Sequence, residues 1–328
     1  MRLTLSVLFM GMLLAIPAVV IADSAFERES QSQAAITGIG TEFLWPDDSR
    51  AADPEAALRI LSEAAEATGS NVLRTSVGTS ESGRKRIAHY VFMGRDGTGL
   101  FDEFTLADGR WLSPAESRLG SATVSSARTG EDGNVGVPAV FAGRYELTFA
   151  PLSQAYESLP VAGRYAVEAP DAAAADRFLT LVLQRLGEAG LDEISAEDLT
   201  PGGAQGSVHG NRGLMVLAYL LAGAAVLVVA FILLREGKRI GVLRLTGHSP
   251  MRIWYRVVGR LQIASVLIGL AACAVVALAV PGVDAWFLRA LAVAWAEVAV
   301  AAFAATMVVG LVIVHRVQIA DLIKGSLQ

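Results

Sequence analysis

The segment REGKRIGVLRLTGHSPMRIWYRVVGR, residues 235–260, lies between two long apolar runs and is the most positive part of the chain. Arg235, Lys238, Arg239, Arg244, Arg252, Arg256 and Arg260 stand against a single acid, Glu236. Lys and Arg beside apolar spans favour the cytoplasmic side of a membrane, so this segment assigns a side to everything else. It also decides the fold class, because it turns the flanking apolar runs into membrane helices rather than core helices of a soluble domain.

Working outward, residues 214–234, 261–280 and about 290–314 are each long enough to cross a hydrocarbon core of ~30 Å. Residues 3–22, LTLSVLFMGMLLAIPAVVIA, form another such run, preceded by Arg2. Ala22-Asp23-Ser24-Ala25 offers a faint cleavage pattern, so a signal peptide is the alternative. The run exceeds the usual signal core of ~7–15 residues, which favours an uncleaved helix kinked at Pro17. Topology then closes with both termini inside and the large polar segment outside. The turn 281–286 carries only Asp284, while His315, Arg316 and Lys324 follow the last run.

Composition agrees with a membrane protein. Of 328 residues, 53% are apolar and 18% charged, more apolar than an ordinary soluble domain of this length. Net charge is −11 up to Arg212 and +6 beyond it, which separates an acidic water-facing part from a basic membrane part. Nothing in this pattern invites nucleic acid. Cys273, alone in an apolar run, reads as packing.

Residues 23–212 carry the periodicities of an α/β domain. Asp53-Pro54-Glu55 is a helix start, with Leu58, Leu61 and Ala65 on one face until Gly69. Residues 72–77 and 87–93 read as strands, followed by the turn-rich 94–99. Asp108-Gly109 suits a tight turn. Residues 121–136 read as an exposed loop. Residues 145–149 and 165–168 alternate as strands, and Pro170-Asp171 opens a helix carrying Phe178, Leu181, Val182 and Leu186. Glycines in 202–213 make a linker.

Chemistry-bearing motifs are few. The sequence holds no phosphate-cradling Gly-x-x-x-x-Gly-Lys-Ser/Thr loop, no Cys-x-x-Cys, no His-Glu-x-x-His and no Gly-x-Ser-x-Gly. His89, His209, His248 and His315 are far apart, so a shared metal site is not expected. Residues 78–83 superficially look like a nucleophile elbow, but their spacing suits a hairpin loop. Glu297 is an acid about two turns inside the last apolar run, where a charge costs a few kcal/mol and needs a partner. A polar group of another helix, an assembly contact, or an outer vestibule touching substrate are the readings it allows; Gln262 is a poor partner by depth.

The order Ile240-Gly241-Val242-Leu243-Arg244-x-x-Gly247-x-Ser249 resembles the signature loop of FtsX-like permeases of the MacB type, which precedes a short coupling helix. Residues 106–116, with Glu116 in the acidic place, weakly resemble an element of the outer domain of that family. The resemblance implies an α-helical membrane protein with four transmembrane helices and an extracytoplasmic α/β, porter-like domain between helices 1 and 2. The parts are helix 1 (1–22), domain and linker (23–212), helix 2 (213–234), coupling loop and helix (235–260), helix 3 (261–280), helix 4 (290–314) and cytoplasmic tail (315–328).

It further implies a non-catalytic permease subunit of a bacterial inner or plasma membrane ABC transporter. Its partners would be a dimeric cytoplasmic ATPase holding ATP and Mg, a second permease copy or related subunit, membrane lipids, and an extracytoplasmic peptide, lipoprotein or envelope protein. No cofactor is expected on this chain. Ile240, Gly241, Val242, Leu243, Arg244, Gly247, Ser249, Met251, Arg252, Trp254 and Tyr255 would meet the ATPase, with Ile253 and Arg256 beside them. The glycines would permit close approach, the aliphatics an apolar docking face, and the arginines pairs with acids. Arg239 departs from the family's usual Glu, and the final Lys324-Gly325 resembles bacteriocin-associated members. The competing readings are that the basic residues only set topology and meet lipid phosphates, or that the chain is a membrane-anchored sensor without an ATPase.

Overall fold

Capped helices and alternating strands account for most of the order between residues 41 and 188. The computed structural model describes residues 2–80, 82–120, 122–127, 132–201 and 246–316, and positions 220, 223, 224, 227, 228, 230, 231, 235, 240, 242 and 243. The chain divides into two units, one of Glu27–Val208 and one of Met1–Phe26 with His209–Gln328.

The Glu27–Val208 unit is built on an eight-stranded sheet in the order β1-β8-β2-β3-β7-β5-β6-β4. The strands are β1 (Thr41–Trp45), β2 (Asn71–Thr79), β3 (Lys85–Met93), β4 (Leu106–Gly109), β5 (Thr123–Ser125), β6 (Asn134–Pro138), β7 (Tyr145–Pro151) and β8 (Gly163–Glu168). β3–β7 and β5–β6 are parallel and the other neighbours antiparallel. Alternation along the strands supplies two cores. Val72, Tyr165 and Val167 join Phe43, Leu61, Phe178 and Val182 on one face, under α2 (Pro54–Thr68) and α6 (Ala172–Glu188). Leu73 and Ala166 join Ile87, Val91, Leu147 and Phe149 on the other.

The helix signals work as the sequence suggests. Asp53 caps α2 through Ala56 N (3.2 Å), Pro54 opens it, and Gly69 ends it at φ 61°. Asp171 caps α6 through Ala174 N (2.7 Å). The expected loop 121–136 is only partly one: β5 is buried and pairs with β7, placing Val124 opposite Phe149. Three residues are too short for a period-two signal to emerge, so only the neighbouring strands reveal it.

The expected four-helix membrane fold is overturned. The protein is a mixed α/β structure, and among the described residues two helices are long and apolar enough to cross a membrane: Arg260–Ala279 and Ala285–Val312. The first apolar run is part of α1 (Arg2–Ala34), a 33-residue helix that continues through Asp23, Glu27, Arg28 and Glu29. An apolar run ends in sequence where polarity begins, but helical hydrogen bonding has no reason to end there, since Pro, Gly or a cap is absent. The last turns of α1 belong to the sheet unit: Lys85 Nζ lies 2.7 Å from Glu29 Oε1, Ser32 Oγ 2.9 Å from Tyr145 OH, and Arg28 stands over the Phe141 ring. Most of the expected helix at 213–234 lies outside the described residues.

In the other unit, α7 (Pro250–Trp254) runs through a π turn (Tyr255–Gly259) into α8 (Arg260–Ala279), which a short turn joins to α9 (Ala285–Arg316). Asp284 Oδ1 accepts from Phe287 N (2.8 Å) and so caps α9. α1 packs here as well. A Cβ on Gly269 would sit 3.0 Å from Leu13 Cβ and 3.1 Å from Trp295 Nε1, so the missing side chain is what lets α1, α8 and α9 meet. Gln262 and Thr306, both buried, join α8 to α9 by a 3.0 Å hydrogen bond.

Candidate coupling segment

The segment that bears the family-like motif is a helix corner held by backbone chemistry. Ile240, Val242 and Leu243 are helical, and His248 N donates to Leu243 O (3.1 Å) across Gly247 at φ 80°. That is a Schellman ending, with glycine in the left-handed position where a Cβ would be strained. Two residues on, Ser249 caps α7 by accepting from Arg252 N (3.4 Å), with Pro250 in the first turn. Gly247 and Ser249 therefore stop one helix and start the next.

Side chains brace the corner. Arg256 Nη1 donates to His248 Nε2 (3.4 Å), which leaves His248 Nδ1 to donate to Thr246 Oγ1 (3.0 Å), and Thr246 Oγ1 donates to Leu243 O (2.9 Å). The tautomer follows from this network. Sequence reasoning did not single out Thr246 and weighed His248 only as one of four scattered histidines; the spacing of two polar residues about a glycine was the available signal.

Burial sorts the candidate residues. Ile240, Ile253, Trp254 and Val258 are buried, Trp254 meeting Phe303 of α9 edge to face at 5.3 Å. Val242 (59% exposed), Met251 (51%) and Tyr255 (45%) face outward, as do Arg252 and Arg256; Leu243 is intermediate. Gly241 and Arg244 lie outside the described residues. The outward face thus combines three large apolar side chains with two guanidinium groups, while Ile253 and Trp254 fix its footing. The π turn carries an i→i−5 bond from Arg260 N to Tyr255 O, and Gly259 leaves room for the Trp254 and Tyr255 rings, 3.0 and 3.1 Å from where its Cβ would be.

No known protein family and no curated protein matches the chain.

Elsewhere, polar clusters serve the fold. Glu168, buried at the end of β8, accepts from Gly99 N (2.8 Å), Thr98 Oγ1 (2.5 Å), Asn71 Nδ2 (2.9 Å) and Arg95 Nη2 (2.6 Å). Burial pushes its carboxyl up, but these donors outweigh it and hold the acid below the usual range. Arg110 and Glu116, in the segment with the weaker resemblance, form a two-pronged ion pair (2.7 and 2.6 Å), and Glu116 closes a capping box with Ser113. Among the described residues no cluster of three His, Cys, Asp or Glu could hold a metal. His89 is fully buried beside Phe149 and Phe104, with Nδ1 2.8 Å from Thr75 Oγ1. Residues 78–80 and 82–83 lie at the β2–β3 hairpin, where Ser82 Oγ donates to Glu146 Oε1 (3.0 Å).

Glu297 is exposed on α9. The helix starts at Ala285, so the acid lies ~18 Å from that end, deeper than a start near residue 290 suggested. Gln262 is engaged by Thr306 rather than Glu297.

Proposed function

We propose that this chain is the permease subunit of an ABC system, whose residues 240–256 dock on a separate cytoplasmic ATPase and pass its cycle to the acidic α/β unit. The observation that carries the reading is the rigid corner itself. It presents Val242, Met251, Arg252, Tyr255 and Arg256 outward and continues without a break into α8, a helix apolar enough to span. A mixed apolar and cationic face suits a partner groove lined by acids, whereas lipid phosphates would need only the charges. The motif resemblance at residues 240–249 points the same way.

Sidedness follows from charge. α8 and α9 are antiparallel neighbours joined by a short turn, so the start of α8, with Arg252, Arg256 and Arg260, and the end of α9, with His315 and Arg316, share one side. The turn between them carries Asp284 alone. Positive residues favour the cytoplasm, which supports a place in a bacterial inner or plasma membrane with the corner on the cytoplasmic side. ATP and Mg belong to the partner, and the chain's part is mechanical: export of a peptide or lipoprotein, or transmission to an envelope protein.

The test is co-purification of the full chain from native membranes in mild detergent, with and without Val242→Asp plus Met251→Asp. Both side chains are exposed, so the double change spares the fold. An ATPase that accompanies the wild type and is lost with the variant supports the reading. If no ATPase appears, or the variant retains it, the membrane-anchored sensor replaces it.

A further inference from the structure

Among the described residues, the α/β unit buries three ionised side chains, and two of them have their counter-charge beside them. Glu146 lies 3.0 Å from Arg84 and Glu168 2.6 Å from Arg95. The third, Arg74 on β2, is only 6% exposed and meets no carboxylate among the described residues. Its acceptors are neutral: Nη1 donates to Tyr165 OH (2.8 Å) and Val161 O (3.5 Å), and Nη2 to Ala162 O (3.2 Å). A guanidinium has five N–H donors, so these bonds leave Nε and one hydrogen of Nη2 without an acceptor. A buried charge without a counter-charge is costly, and arginine is rarely buried unless paired. Gly163, at φ 146°, keeps the approach to Nη2 clear, since a Cβ there would stand 3.1 Å from that nitrogen. Tyr90 faces Arg74 across the β2–β3 ladder, and Ser76 follows two residues on along the same sheet face. Both are half-buried, and neither hydroxyl bonds to another described residue.

We infer that Arg74 anchors a binding site for one carboxylate group of a ligand, with the hydroxyls of Tyr90 and Ser76 as further donors. Nε and Nη2 are neighbouring nitrogens of a planar group, so their free hydrogens suit the two oxygens of a carboxylate. One cation also sets the charge of the ligand. A carboxylate makes a neutral pair with Arg74, whereas a phosphate dianion would leave a net negative charge in a buried place. The carbonyls of Val161 and Ala162 and the hydroxyl of Tyr165 hold the guanidinium in position before the ligand arrives, which lowers the ordering cost of binding. A small organic acid or the carboxy end of a peptide carries the required group. The site lies wholly within the Glu27–Val208 unit and uses no ATPase, so it goes beyond the permease reading and does not depend on it.

The experiment follows thermal unfolding of the full chain in mild detergent with three probes: acetate, N-acetyl-triglycine and the C-terminal amide of that peptide, with chloride holding ionic strength constant. A ligand of the folded state raises the transition in step with the logarithm of its concentration. The rise is expected with a free acid and not with the amide. Acetate acting as well as the peptide marks a small-acid site, and the peptide acid acting alone marks a site for a chain end. Arg74→Gln should weaken apparent affinity about tenfold or more, and Ser76→Ala with Tyr90→Phe about threefold. Those two hydroxyls hold nothing in the fold, so the double variant keeps the wild-type transition in chloride and decides the matter if Arg74→Gln does not fold. No rise with either acid, an equal rise with the amide, or unchanged affinity in the double variant or in a folded Arg74→Gln overturns the inference and leaves Arg74 as a clamp on residues 161 and 162. Failure of an ATPase to co-purify leaves these titrations untouched, so the site and the permease reading fail separately.

Discussion

The hydroxyl of Thr306 on α9 lies 3.0 Å from Oε1 of Gln262 on α8 and 2.7 Å from the Ala302 carbonyl of its own helix, with Gln262 only 2% exposed. The two partners depend on each other unequally. Without Gln262, Thr306 can turn its one hydroxyl proton to the Ala302 carbonyl, whereas without Thr306 the Gln262 Oε1 loses its donor. Thr306→Val is therefore expected to cost about 1–2 kcal/mol and Gln262→Leu under about 1 kcal/mol. The double variant should resemble Gln262→Leu, because removing both polar groups leaves nothing unsatisfied. Unfolding in mixed micelles checks this, and equal costs for the two single changes would contradict it.

Gly247 at φ 80° is the hinge pin of the corner. Its Cβ would meet nothing within 4 Å, so substitution acts through the backbone alone. Gly247→Ala is expected to cost about 1–2 kcal/mol locally and Gly247→Asn less, since Asn tolerates the left-handed region. Hydrogen exchange at His248 N, the donor of the Schellman bond, should rise more in Gly247→Ala than in Gly247→Asn; unchanged protection in Gly247→Ala would exclude the assignment.

Burial brings the fully enclosed His89 down to about 4 from an ordinary 6.5, so the folded protein holds it neutral. The unfolded chain binds its proton first. Stability from this group is complete above pH 6.5, declines as pH falls from 6.5 to 4, and changes no further below. The whole effect is on the order of 3 kcal/mol. Urea unfolding of the wild type should lose stability across this window more steeply than His89→Leu, and parallel pH profiles would refute the account.

The Arg110 guanidinium, helped by Ser113, holds Glu116 at about 2 rather than 4.5. This carboxylate stabilises the fold above pH 4.5, and its contribution is lost as pH falls from 4.5 towards 2. Glu116→Ala is expected to cost about 1 kcal/mol through the capping box, and Arg110→Ala less, because the arginine is 57% exposed. Thermal unfolding tests the ranking. Neither change should alter ATPase co-purification, since the pair braces α4 (Pro114–Leu119) within the α/β unit.

Much of the α/β unit was legible because its signals are local. Asp53, Pro54 and Gly69 bound α2, Asp171 opens α6, and alternation marks β2, β3, β7 and β8. β5 was not legible, because three residues owe their strand state to pairing with β7 and β6, which lie on either side of it in the sheet. In the segment around residues 240–256, Gly247 and Ser249 announced a break, but not that Trp254 turns inward onto Phe303 while Met251 and Tyr255 stay out. That choice depends on where α9 lies.

The count of helices long and apolar enough to cross a membrane shows the same division. Residue order by itself determined the apolar runs, the caps and the charge asymmetry, since these rest on neighbours within a few bonds along the chain. Tertiary structure decided that α1 runs on to Ala34, that Gln262 is taken by Thr306, and that Glu297 stands exposed near mid-span. Each of these turns on which surfaces are covered by residues distant in sequence, a fact that exists only once the chain has packed.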